Sequence, residues 1–253
     1  MKTPSEIIEG IRSVQELLNS SVLIESIWIA KPLMRRPDIQ EIFAAASHKR
    51  ISVNVVPAEV IDQKARSNSS QGVIAYSAPI QTLEFNDWFE SYSAAKKTAS
   101  FLLLLDHIED PQNFGAIIRS AEAAGVHAII FPTHRASPVN PTVVKASAGA
   151  AFHIPLVTVG SLRQAIIELS EENIAVVGLD VAGTVPHFQY FWTGDVALVV
   201  GAEHKGLTKP VRDACSALVK IPMGGKIESL NASAATAIVL FEVVRQRSPS
   251  QRE

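Results

Sequence analysis

Phe101–Leu105, five apolar residues in a row closed by Asp106, constrain the fold more tightly than any other stretch of this chain. A surface helix cannot use such a run, and neither can a strand with one wet face, because alternate residues would point into water. A short continuous run suits a strand covered on both faces, as in a parallel sheet between helical layers. The same device recurs: Ala128–Phe131, Ile174–Leu179, Val196–Val200 and Ala217–Ile221 are β-rich runs, and His153–Leu156 reads as a short strand. Helical spacing predicts helices over Phe114–Ala124, Thr142–Ala148, Leu162–Glu171, Pro210–Ala214 and Ala234–Val244. Strands alternating with helices give an α/β domain on a parallel sheet. Ligands of such sheets bind at loops beyond the C-terminal strand ends, here Asp106–Phe114, Gly201–Thr208 and Pro222–Ser229.

The first part of the chain repeats the alternation on a smaller scale. Ile7, Ile8, Ile11, Val14, Leu17 and Leu18 form one stripe and predict a single amphipathic helix over Glu6–Asn19. An apolar run Leu23–Ala30, a helix over Asp38–His48, a strand Ile51–Val55, a short helix Glu59–Ala65 and a strand Val73–Tyr76 follow. The pattern loosens over Ser77–Ser100, apart from a short helix over Asp87–Ala95. The expected organisation is a smaller α/β domain over 1–77, a linker over 78–97 and a larger α/β domain over 98–253.

Composition narrows the class. With 47% hydrophobic and 19% charged residues among 253, the chain is an ordered globular protein. A net charge of −2 leaves a nucleic-acid partner to be met by a local patch. One exists in Lys31–Arg50, where Lys31, Arg35, Arg36, Lys49 and Arg50 face only Asp38 and Glu41; Lys64 and Arg66 extend it. Each residue alone also reads as part of a solvated helix face. Cys215, the single cysteine, excludes an internal disulfide and fits a reducing compartment. No apolar run approaches a membrane span, and Glu6 and Glu9 interrupt what a signal peptide would need, so a cytoplasmic location is expected. The seven histidines are scattered without HExxH or cysteine pairs, so no metal is expected.

Three loops carry the candidate chemistry. In the first, Asn113 and Gly115 open a helix with Arg119 one turn further in. Arg119 is either a solvated cation or, given Ile117, Ile118 and Ala121 around it, a half-buried one that needs an anion. A phosphate and the carboxylates of Asp106 or Asp110 are the alternatives. In the second loop, GAEHKG has Leu207 where a P-loop needs lysine, and Glu203 is placed to accept hydrogen bonds or to pair with Arg119. The third, IPMGGKIESLNAS, joins a Pro/Gly turn to a helix start carrying Ser229, Asn231 and Ser233; one of these suffices as a cap. No G-x-G-x-x-G fingerprint exists to support a dehydrogenase.

Asn113-Phe-Gly115 with Arg119, Gly201-Ala-Glu203 to Gly206, and IPM with SLNAS resemble, in order and spacing, the three motifs of the SpoU family of RNA ribose 2′-O-methyltransferases. RSAEAAGVHA and FEVVRQRS resemble the members that methylate a guanosine ribose in large-subunit ribosomal RNA. The resemblance implies a deep trefoil knot in the larger domain, a ribosomal-protein-like substrate-binding domain before it, and a homodimer. It implies S-adenosylmethionine as methyl donor, held largely by main chain at Leu179, Gly201, Ile221 and Leu230. Arg119 would help activate the 2′-hydroxyl, with Asn113, Glu203, Ser229 and Asn231 positioning the reactants. Ribosomal RNA is the implied substrate. The alternatives are tRNA, or a non-catalytic RNA-binding or ribosome-assembly protein of the same fold. The chain departs from the usual pattern at His204-Lys205, at Ala232 and Ala234, and at Ser70, where relatives often carry histidine.

Overall fold

The computed structural model describes residues 5–67, 70–203, 205–226 and 229–248. The chain divides into two compact units, one of 1–81 with 138–153 and one of 82–137 with 154–253.

In the first unit the elements are β1 (Glu6–Glu9), α1 (Ile11–Asn19), β2 (Ile24–Ala30), α2 (Pro37–His48), β3 (Ser52–Val56), α3 (Ala58–Lys64) and β4 (Val73–Ser77). The single helix expected over Glu6–Asn19 is therefore a strand and a helix. Gly10 separates them at φ 96, a conformation that costs a side chain dearly and that no helix interior contains. The sheet order is β1-β4-β2-β3, with β4 antiparallel to both neighbours and β2 parallel to β3. One face buries Ile8, Ile27 and Ile29 against Val14, Leu17, Ile39 and Ile42 of α1 and α2. The other face is covered by α3, whose Ile61 packs with Ile74, Trp28 and Tyr76.

The second unit continues with β5 (Leu83–Glu84), α4 (Phe85–Ala95), β6 (Phe101–Asp106), α5 (Pro111–Ala123) and β7 (Ala128–Pro132). Next comes α6 (Pro141–Ala146), which packs in the first unit, its Val144 joining that core. The second unit resumes with β8 (Leu156–Val159), α7 (Leu162–Glu171), β9 (Ala175–Leu179), β10 (Val185–Pro186), β11 (Val196–Gly201), α8 (Lys209–Ala214), β12 (Ala217–Lys220) and α9 (Ala232–Arg247). The strand read at His153–Leu156 begins instead at Leu156. Ala150–Phe152 form a 3₁₀ turn before it, closed by the backbone of His153. The stretch 78–97 holds the expected helix and also β5, which pairs with β8.

All eight strands are parallel, in the order β10-β12-β9-β11-β6-β7-β8-β5. Phe101–Asp106 and Val196–Gly201 are buried throughout, the burial that their unbroken apolar runs require. Leu102, Leu104, Ala197 and Val199 pack with residues of α4, α7 and α8. On the other side α5 and α9 pack together, α9 also touching β11, and Phe114, Ile117, Ile118, Val239, Leu240 and Val243 are buried. From β6 the chain steps outward through β7 and β8, then crosses to place β9, β11 and β12 on the opposite side. The reversal lies between β6 and β11, where open α/β sheets hold their ligands, beyond the strand C-termini.

Candidate functional site at the strand ends

The loops after β6 and β11 meet where the strand order reverses. Asp110 caps α5, its carboxylate accepting from Asn113 N at 2.7 Å, and Pro111 at the first helical position needs no hydrogen-bond acceptor. The helix thus starts three residues before the expected Phe114 and places Asn113 in its first turn.

After β11 the chain folds back on itself at once. Gly206 N donates to Ala202 O at 2.8 Å, and Gly206 itself is left-handed at φ 60. A Cβ on Gly201 would lie 2.2 Å from the Gly206 carbonyl carbon and oxygen, so only glycine fits there. Behind this turn sits a device that the motif reading missed. The Asp106 carboxylate, almost wholly buried, accepts from Thr208 N at 2.7 Å and pairs with His107 Nδ1 at 2.5 Å. Asp106 thereby ties the far end of the second loop to the end of β6. Its one readable signal was an acid closing an otherwise apolar strand. Asp180, at the end of β9, is buried too and accepts from Ala182 N. The two carboxylates and burial push the Cys215 thiol up to about 12, burial being the larger cause.

Asn231 brings the third loop in. Its Oδ1 accepts from Ser233 N, Ser233 Oγ and Ala234 N, so it is the cap of α9, and that helix begins two residues before the expected Ala234. Its Nδ2 donates to Asn113 Oδ1 at 2.9 Å and to Glu203 Oε2 at 3.3 Å, and Asn113 Nδ2 donates to the same carboxylate oxygen at 3.3 Å. One residue from each loop therefore meets in a single closed junction.

Arg119 stands outside it. Of the two readings of Arg119 the structure has the solvated cation: Ile117, Ile118 and Ala121 turn into the core while Arg119 points to solvent. Asp106, Asp110 and Glu203 are engaged elsewhere, and among the described residues Arg119 has no ion pair. Ser229 is exposed beside Asn231 without a hydrogen bond among those residues. Leu179 and Gly201 end the adjacent strands β9 and β11, and Ile221 follows β12, the next strand outward. Leu230 immediately precedes the cap Asn231. Between them, Met223–Lys226 make no backbone hydrogen bonds among the described residues, and a Cβ on Gly224 or Gly225 would meet open space. His204 lies outside the described residues.

A depression of about 640 Å³ opens at the opposite end of the sheet, where β6 begins. It is remote from this junction. The Arg247 lining it is already held by the carbonyls of Ala99, Ser100, Trp192 and Gly194.

The family model for the SpoU rRNA methylase family matches residues 100–241, more than half of the chain, and spans all three loops. The chain belongs to the SpoU family. A second family model, for RNA 2′-O ribose methyltransferase substrate binding, matches residues 7–83. The 23S rRNA (guanosine-2′-O-)-methyltransferase RlmB of Escherichia coli is 39% identical over 96% of this chain and 100% of its own length. Among solved structures, an RNA 2′-O ribose methyltransferase superposes with a TM-score of 0.82 at 26% identity, over 97% of this chain and 90% of that one. The SpoU methyltransferase AviRb of Streptomyces viridochromogenes, in complex with the cofactor AdoMet, gives 0.76 at 25% identity over 96% and 90%.

This SpoU chain keeps its basic patch on the first unit, but not as one group. Lys31, Arg35, Arg36, Lys49 and Arg50 are all exposed. The first three precede α2 and the last two follow it, and a helix of 12 residues spans about 18 Å. Arg36 is occupied by Asp38 at 2.6 Å, and Lys49 donates to Ser20 O at 3.2 Å. Ser70 is buried and accepts from Gly72 N, which makes it a part of its own turn.

Proposed function

We propose that this SpoU protein transfers the methyl group of S-adenosylmethionine to a ribose 2′-hydroxyl of large-subunit ribosomal RNA, at a guanosine. The observation that carries this reading is the Asn113–Glu203–Asn231 junction with an unpaired Arg119 on the same helix as Asn113. The guanosine and the ribosomal target rest on the likeness to RlmB, a 23S rRNA (guanosine-2′-O-)-methyltransferase matched over 96% of this chain and 100% of its own length. A tRNA target is the alternative.

The residues present fit the methyl donor. A molecule recognised by main chain needs free peptide groups, and Met223–Lys226, without backbone hydrogen bonds among the described residues, offer them at the same end of the sheet as Gly201 and Leu179. Leu179, Gly201, Ile221 and Leu230 are the residues that would hold it. When bound, it supplies an electrophilic sulfonium methyl.

What remains to the protein is to align the hydroxyl and to stabilise charge on its oxygen. Arg119 suits the second task, because an exposed cation without a protein anion is free to clamp an RNA phosphate and stabilise alkoxide character on the 2′ oxygen. Guanidinium groups keep their protons at neutral pH, so charge stabilisation suits this side chain better than the role of a literal base. Asn113, Glu203 and Asn231 fix one another by hydrogen bonds, and Ser229 lies next to them; alignment of this kind is worth several orders of magnitude in rate.

Two further features belong to the reading. The family's trefoil knot belongs to it through family membership, while Gly183, where a Cβ would meet the Val219 carbonyl carbon at 2.5 Å, closes the turn before β10 pairs with β12. The outward face of α9 exposes Ile238 at 40% and Phe241 at 50%, which suits a homodimer. No helix among the described residues is long and apolar enough to cross a membrane, and no group of three metal-ligating side chains occurs among them. With ribosomal RNA as substrate, we place the protein in the cytoplasm.

The test is Arg119→Ala. Methyl transfer to unmodified ribosomal RNA falls by about 10²-fold or more, while S-adenosylmethionine binding by calorimetry is unchanged. An undiminished rate removes Arg119 from the mechanism. Transfer to tRNA but not to ribosomal RNA by the wild-type chain selects the alternative.

A further inference from the structure

Four exposed cations that are scattered in the sequence converge on one end of the first unit, and one of them escaped the motif reading altogether. Ala30 N donates to Gly72 O at 2.9 Å, so the end of β2 adjoins the segment that leads into β4, and Lys31 and Arg35 follow directly. Gly72 sits under Leu33, where a Cβ would lie 2.7 Å from Leu33 Cδ1. Gln71 Oε1 accepts from Ile11 N at 3.1 Å, which brings in the start of α1 and with it the exposed Arg12. Glu9, at the end of β1, accepts from Arg66 N and Ser67 Oγ and so fixes the backbone that carries the exposed Arg66. β1 and β2 flank β4, so the strand ends beside Arg66 and Lys31 are about 10 Å apart.

The segment is held from three sides in a conformation that few residues adopt, with φ 55 at Gln71 and 74 at Gly72. Strain of this kind persists where surrounding structure imposes it, and it collects at functional sites. The acidic groups nearby are few and mostly engaged: Glu9 is buried and paired with Lys145, Asp38 is neutralised by Arg36, α3 brings Glu59 and Asp62 with Lys64 over the sheet face, and Glu6, at the start of β1, faces Arg66. Among the described residues Arg12, Lys31 and Arg35 have no ion pair, and Arg66 has only the more distant Glu6 carboxylate.

We propose that Arg12, Lys31, Arg35 and Arg66 form the phosphate grip of the RNA-binding unit, and that Lys49 and Arg50, beyond the far end of α2, lie outside it. Guanidinium and ammonium groups spaced over such a surface match the repeat of an RNA backbone. The inference rests on the reading that this unit binds RNA and says which end does so.

The experiment uses the full chain and a transcribed fragment of large-subunit ribosomal RNA, with affinity read by fluorescence anisotropy as salt is raised. One variant combines Arg12→Gln, Lys31→Gln, Arg35→Gln and Arg66→Gln; the other combines Lys49→Gln and Arg50→Gln. Each lost phosphate contact lowers the slope of log affinity on log salt by about 0.7 to 0.9, so the fourfold variant loses about 3 units of slope and more than about tenfold in affinity. The double variant keeps the wild-type slope. Wild-type circular dichroism and thermal unfolding in both show that the first unit is folded, and unchanged S-adenosylmethionine binding shows the same of the second. A fourfold variant with the wild-type slope, or a double variant that loses as much, overturns the placement. Running the same pair on bulk tRNA reads the placement whichever RNA is the target. Failure of the wild type on the ribosomal fragment alone strikes only the target reading.

Discussion

At the scale of single residues, Asn231 shows how one side chain serves two purposes that can be separated. Its Oδ1 caps α9 and its Nδ2 closes the junction with Asn113 and Glu203. Serine caps a helix about as well as asparagine, but its single short hydroxyl has no separate amide to reach across to Asn113 and Glu203. Asn231→Ser therefore leaves thermal stability within about 0.5 kcal/mol while methyl transfer falls by about 10²-fold, the scale of a misplaced reacting group. Equal losses of stability and rate would reduce Asn231 to a cap. Cys215 offers a complementary prediction. Burial, with Asp106 and Asp180 beside it, pushes the thiol up to about 12, so at pH 8 almost none is thiolate in the folded chain. Alkylation by iodoacetamide at pH 8 is then more than about a hundredfold slower than for a free cysteine, and denaturant restores it. Ready labelling of the native chain would contradict this burial.

At the scale of elements, what was legible followed periodicity and what was not followed local backbone geometry. Leu162–Glu171 is a helix over the expected bounds, and the continuous runs at Phe101 and Val196 are the two central strands, because burial on both faces leaves a plain apolar signal. Glu6–Asn19 misled because Ile7 and Ile8 fit both a helical stripe and a strand, and only the positive φ of Gly10 decides between them. The junction was legible as three motifs, but its internal bonding was not: Glu203 pairs with two amides rather than with Arg119, a choice fixed by where α5 begins. The turn after β11 carries the sharpest prediction at this scale. Gly201→Ala places a methyl carbon against the Gly206 carbonyl, which must shift by about an ångström and carry Glu203 with it. Forcing a methyl into a closed turn costs about 1–3 kcal/mol, and both cofactor affinity and rate fall. A variant with wild-type calorimetric binding would show that the turn can relax harmlessly.

At the scale of the whole molecule, the sequence concealed a return of the chain. Residues 138–153 lie within the stretch matched by the methylase family model, yet they pack with the first unit, where Val144 enters the core and His153 meets Glu16 at 2.8 Å. Periodicity reports that Val143 and Val144 are buried; it cannot report against what. The same blindness applies to α9, read from sequence as apolar almost all round and therefore buried. In the chain by itself one face is buried, through Thr236, Val239, Leu240 and Val243, while Ile238 and Phe241 remain in water. A helix with two apolar faces and one partner lacks a second, and a second copy of the chain supplies it in the proposed homodimer. Phe241→Asp places a charge at the centre of that contact, where burial of an unpaired carboxylate is costly. Light scattering at micromolar concentration then gives about twice the chain mass for the wild type and the single-chain mass for the variant, with the fold retained because Phe241 does not enter the core. A wild type that is monomeric, or a variant that remains dimeric, leaves the outward face of α9 without this role.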